Sequence, residues 1–135
     1  MAIQWDESLR LDVPTIDEQH EEIFVYFDSL SDAVQKGDGR GKVIDLLAYL
    51  DNYATVHFNN EECLMEYFKY SGLDAQRKQH VQFKANIQTL LDLLAADAPM
   101  QDIAIKTDAT LIRYFILHIR KLDKDLVDFI KLHPL

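Results

Sequence analysis

Residues 43–68 read VIDLLAYLDNYATVHFNNEECLMEYF. Val43, Leu47, Leu50, Ala54, His57, Glu61, Leu64 and Phe68 recur at intervals of three and four, which places them on one face of a helix. That face should be hydrocarbon, yet an imidazole and a carboxylate interrupt it. The same rhythm returns in Ile16, His20, Ile23, Phe27, Leu30 and Val34, and in Gln76, His80, Phe83, Ile87, Leu90 and Leu94. It returns again in Leu111, Phe115, His118, Leu122, Leu126 and Phe129. Each apolar stripe therefore carries a histidine, and Asp123 stands beside the last one.

Four periodic segments, at about 16–36, 42–70, 74–97 and 101–132, are separated by Gly37, Gly39, Gly41, Gly72 and Pro99. Pro14 and Pro134 bracket the set, and no strand-like alternation competes. Short connections favour antiparallel neighbours. The expected fold is all-α, an up-down-up-down antiparallel four-helix bundle forming a single domain over 1–135. Residues 1–15, with Trp5, Leu9, Leu11 and Val13, read as an irregular arm against it. Thr15 and Glu18 have the spacing of a capping box for the first helix.

The chain has 135 residues and a formal charge of −9, with no basic run, which argues against nucleic acid and anionic membrane as partners. No stretch is long and apolar enough for a membrane span, and residues 1–6 lack the features of a signal peptide. The lone cysteine, Cys63, neighbours Glu62 and fits a reducing cytoplasm.

Taken singly, the polar intruders have ordinary explanations. His20 could be a satisfied core histidine, His57 and Glu61 an exposed i, i+4 pair, and Asp123 part of a solvated face with Lys121, Lys124 and Asp125. Taken together they converge. In an antiparallel bundle His20, His57, Glu61, His80, His118 and Asp123 fall near one end. Burying two carboxylates among four imidazoles is costly unless a cation compensates. Nitrogen and oxygen donors in that mixture suit iron, manganese or zinc, and six of them exceed one tetrahedral site, which favours two metals. His118 and Asp123 are five apart, about 140° around a straight helix, so the helix must be distorted near 119–124. His133, beside Pro134, is left out of the donor set.

The pattern Ile16-Asp17-Glu18-Gln19-His20, His57-x-x-x-Glu61, His80-x-x-Phe83 and His118-Ile119-x-x-x-Asp123, with Trp5 near the start, resembles a bacterial hemerythrin over nearly the whole chain. The resemblance implies a non-haem di-iron bundle that binds dioxygen. It implies one iron held by His20 and His57 with an open position, and Glu61 and Asp123 bridging two irons together with an oxo or hydroxo group. The second iron would take three histidines, of which His80 and His118 are two. The third falls at Gln76, which offers a weaker amide oxygen or leaves a position vacant. Tyr114 and Asp12 also depart from the family, which usually has tryptophan and glycine there. Ile23, Phe58, Phe83, Phe115 and Ile119 are expected to line an apolar oxygen pocket.

Three functions follow as alternatives. The first is an oxygen carrier or store, or an oxygen- or redox-sensing domain that would need a signalling output partner if the chain is a fragment. The second is a di-iron oxidase or an enzyme reactive towards peroxide or nitric oxide. The absence of any Glu-x-x-His counts against the ferritin-like version of that chemistry. The third is a structural zinc bundle.

Overall fold

The computed structural model describes residues 5–36 and 39–132. The expectations placed on residues 1–4, Gly37, His133 and Pro134 lie outside the described residues. Helix α1 runs Pro14–Gln35, α2 Arg40–Tyr67 and α3 Leu73–Ala95. The fourth rod is built of α4 Met100–Thr107, α5 Arg113–His118 and α6 Lys124–Leu132, joined by π-helical turns at Asp108–Ile112 and Ile119–Asp123. α1 packs on α2 and α4, and α3 packs on α2 and α4, which makes the all-α antiparallel four-helix bundle.

Helix α1 opens inside the segment expected to be arm. Pro14 fixes φ at the first helical position, where its missing N–H costs nothing. The Thr15–Glu18 capping box is accordingly not formed: Val13 is the N-cap and makes no side-chain bond. Helices α2 and α3 both end in left-handed residues, Lys69 at φ 53° and Asp97 at φ 62°. Each is closed by the bond pattern of a Schellman motif, Tyr70 N–H to Met65 O and Ala98 N–H to Leu93 O.

The core follows the expected stripes with departures in α2 and in the fourth rod. In α2 the buried position is Met65, while Leu64 is exposed. In the fourth rod Ile119 and Asp123 are buried as expected, but Leu122 and Phe129 are only half-buried and Val127 is buried instead. In the fourth rod the cause is the π turn at Ile119–Asp123, where Lys124 N–H bonds to Ile119 O, five residues back. The extra residue rotates everything after it around the helix axis.

The arm is held by a buried carboxylate. Asp17 accepts from Leu11 N–H at 2.8 Å and from Asp12 N–H at 3.0 Å, while Lys131 Nζ donates to Leu11 O at 3.0 Å. Leu9 and Leu11 are thereby pinned into the core, and Trp5 packs edge-on to Phe24. Asp12 is left-handed at φ 63°, which explains why glycine suits that position. Replacing Asp17 with alanine strands two backbone donors and should cost about 2 kcal/mol. Urea unfolding measures it; a loss below about 0.5 kcal/mol would show that water satisfies the arm equally well.

Candidate metal centre

His20 on α1, His57 and Glu61 on α2, His80 on α3, and His118 and Asp123 on the fourth rod are all buried, none more than 3 % exposed. The solvated-face reading of Asp123 and the exposed-pair reading of His57 and Glu61 therefore fail. Their donor atoms gather into two clusters whose atoms lie within 4.8 Å of one another. His20, His57, Glu61 and Asp123 form one, and Glu61, His80 and His118 form the other. Glu61 belongs to both.

Asp123 also faces both ways. Its Oδ2 lies 3.0 Å from His20 Nε2, and its Oδ1 lies 3.1 Å from His118 Nε2. This reach across the bundle depends on the π turn. A turn closed by i to i+5 bonds brings residues five apart onto one face, so His118 and Asp123 point the same way.

Three of the imidazoles are oriented from outside. His57 Nδ1 lies 2.5 Å from Gln19 Oε1, His80 Nδ1 2.9 Å from Glu62 Oε2, and His118 Nδ1 2.8 Å from Gln79 Oε1. An oxygen acceptor there requires the hydrogen on Nδ1, so each ring, when neutral, presents Nε2 as a bare lone pair directed inward. The three acceptors were not anticipated from the sequence. Their signal is adjacency: each follows or precedes a donor on its own helix (Gln19–His20, Glu61–Glu62, Gln79–His80) and steadies the histidine of the next.

The residues fit a bound cation. Within this core, His20 Nδ1 and Nε2, His57 Nε2, Glu61 Oε1 and Oε2, Gln76 Oε1, His80 Nε2, His118 Nε2 and Asp123 Oδ2 are buried without a hydrogen-bond partner. His57 Nε2 stands 2.7 Å from Glu61 Oε1, close enough for both to hold one cation. Gln76 is equally buried and donates from Nε2 to Asp123 Oδ1 at 3.0 Å.

Electrostatics divide the two carboxylates. Burial, then the nearby charge of Asp123, pushes Glu61 well above the usual carboxylate range. Burial also works against ionisation of Asp123, but His118 and then His20 outweigh it and hold its carboxyl well below that range. Burial lowers His57 to about 4 and His80 to about 4, the latter against the opposing pull of Glu62. Burial opposes the charge on His118 too, yet Asp123 and Glu61 raise it.

An apolar wall surrounds the donors. Phe58 lies flat on the His80 ring at 4.0 Å, and Phe115 meets His20 edge-on at 5.5 Å and stacks on His118 at 6.1 Å. Phe83 stands behind, 5.6 Å from both Phe58 and Phe115, with Ile23 and Ile119 fully buried in the same core.

Acidification should destabilise the metal-free protein. Below pH 6.5 the unfolded chain binds protons that folded His57 and His80 refuse until about pH 4. The loss approaches about 3 kcal/mol for each histidine, offset in part by Glu61 and His118, whose raised pKa values act in the opposite sense. Urea unfolding of chelator-treated protein should show a lower midpoint at pH 5 than at pH 6.5. A higher midpoint would contradict this electrostatic account.

The profile described as "Hemerythrin HHE cation binding domain" matches residues 11–130. A bacteriohemerythrin of Pseudomonas aeruginosa is 28% identical over 127 residues, covering 94% of this chain and 80% of that protein. A bacteriohemerythrin of Stenotrophomonas maltophilia is 28% identical over 129 residues, covering 96% and 82%. Myohemerythrin-1 of Phascolopsis gouldii is 30% identical over 84 residues, covering 62% and 64%.

Proposed function

The chain belongs to the hemerythrin family, and on that footing we propose that it is a non-haem di-iron protein that binds dioxygen through a centre altered at its second metal position. Family membership makes it a binding protein rather than an enzyme. One observation carries the reading: unpartnered buried nitrogens and oxygens converge in two clusters that share Glu61.

His20 and His57 would hold one iron, His80 and His118 the other, with Glu61 and Asp123, together with an oxo or hydroxo group, between them. Bound iron supplies the electrons and the open position that reversible dioxygen binding needs. The chain supplies the surroundings. Gln19, Glu62 and Gln79 keep hydrogen on the outer ring nitrogens, so three inner nitrogens stay free to ligate. Phe58 and Phe115 exclude water from the donors. Gln76 turns its amide nitrogen to Asp123, so the second metal receives at best an amide oxygen in place of an imidazole.

No helix among the described residues is long and apolar enough to cross a membrane. Cys63 is exposed and free, which supports a reducing cytoplasmic setting. Storage, carriage and sensing all use such a site; sensing would add a signalling output domain.

Metal-free protein loaded with ferrous iron under nitrogen should take up two irons per chain. On admission of air it should then develop a visible charge-transfer band that disappears when oxygen is swept out. One iron per chain would overturn the two-metal reading, and irreversible bleaching with peroxide turnover would point to an oxidase instead.

Replacing Gln76 with histidine should steady the second iron and slow irreversible oxidation, with an affinity gain of about tenfold or more at that position. Competition with a chelator reads the affinity, and repeated oxygenation cycles read the reversibility. No change in either would make Gln76 incidental.

A further inference from the structure

We propose that Glu62 is a positioning residue that strengthens His80 as a donor to the second metal and thereby compensates for Gln76. The inference rests on the reading that two metals bind and that Gln76 weakens the second.

Among the three outer acceptors, Glu62 alone is a carboxylate. Its Oε2 takes the His80 Nδ1 hydrogen at 2.9 Å, whereas Gln19 and Gln79 present neutral amide oxygens to His57 and His118. A carboxylate draws the Nδ1 proton more strongly than an amide does. It therefore leaves more electron density at Nε2 and makes that nitrogen a better ligand. Glu62 is also fixed in place. Its Oε1 accepts from Arg77 Nε at 3.1 Å, and Arg77 is anchored at its other end by Glu66. The carboxylate thus holds a cation on one oxygen and the imidazole on the other.

The placement is selective. Gln76 donates to Asp123 Oδ1, the oxygen that faces His118, so it adjoins the cluster of Glu61, His80 and His118, which is also the one that receives the charged support. In the other cluster His57 leans on a neutral amide, and His20 Nδ1 has no partner. The stronger outer acceptor therefore serves the metal position with the weaker inner donor.

The test is a titration of metal-free protein with cobalt(II) under nitrogen, following the visible d–d bands against a competing chelator. It compares the original chain with Glu62→Gln, Gln76→His and the double variant. Glu62→Gln keeps an acceptor oxygen and removes only the charge. It should weaken the second equivalent by about ten- to hundredfold and leave the first nearly unchanged. In the Gln76→His background the same change should cost less than about threefold, because a third imidazole beside His80 and His118 then shares the metal. A merely structural role would weaken both equivalents together, or act alike in both backgrounds; either outcome overturns the proposal, as does no effect at all. Gln19→Ala serves as the control and should weaken the first equivalent instead. If the original chain takes only one cobalt, the two-metal reading fails and this inference with it. Two equivalents without selectivity would sink this inference alone.

Discussion

The two carboxylates and four imidazoles of the metal centre occupy a largely apolar core, and the cost of keeping them from water governs the molecule. The two acids respond in opposite senses. Glu61 is driven towards its neutral form by burial and by the neighbouring acid. Asp123 remains ionised against burial because His118 and His20 stand at 3.1 and 3.0 Å. Neither solution uses the remaining lone pairs on the inner ring nitrogens. A pair of cations shared across Glu61 would resolve both carboxylates and those nitrogens together.

The rest of the architecture serves that convergence. Each rod of the bundle brings at least one donor to the same height, and the fourth must deform to bring two. An α-helical His118 and Asp123 would diverge, and the π turn removes the divergence by closing one residue later. The donors then need fixed rotamers, which a packed aromatic wall alone does not supply. Gln19, Glu62 and Gln79 supply them from half-buried positions at the rim, each reaching from one helix to the next. The arm is tied to this end of the molecule by Asp17, three residues before His20.

Much of this was legible before any coordinates. The three-and-four spacing named the helices, and histidines at core positions of each rod named the donors. The five-residue gap between His118 and Asp123 required a distortion where the π turn lies. The illegible parts have physical reasons. The Thr15–Glu18 capping box had the right residues, but Pro14 started the helix earlier and left Asp17, not Thr15, to bind backbone donors. Leu122 and Phe129 fitted a uniform helical period, but the inserted π residue leaves them half-buried and turns Val127 into the core. The first π turn, Asp108–Ile112, left no trace in the apolar rhythm.

Local spacing and residue chemistry were sufficient to set the fold class and the buried donors, while the departure at Gln76 was visible only through the resemblance to the hemerythrin family. The first two are properties of each helix read along its own axis. Contacts between helices lay beyond that reading: which oxygen of Asp123 faces which histidine, that Gln76 offers its nitrogen to Asp123, and that Glu62 rather than an amide supports His80. Such partnerships join residues far apart in the chain and depend on how each rod is rotated against its neighbour, which only packing determines.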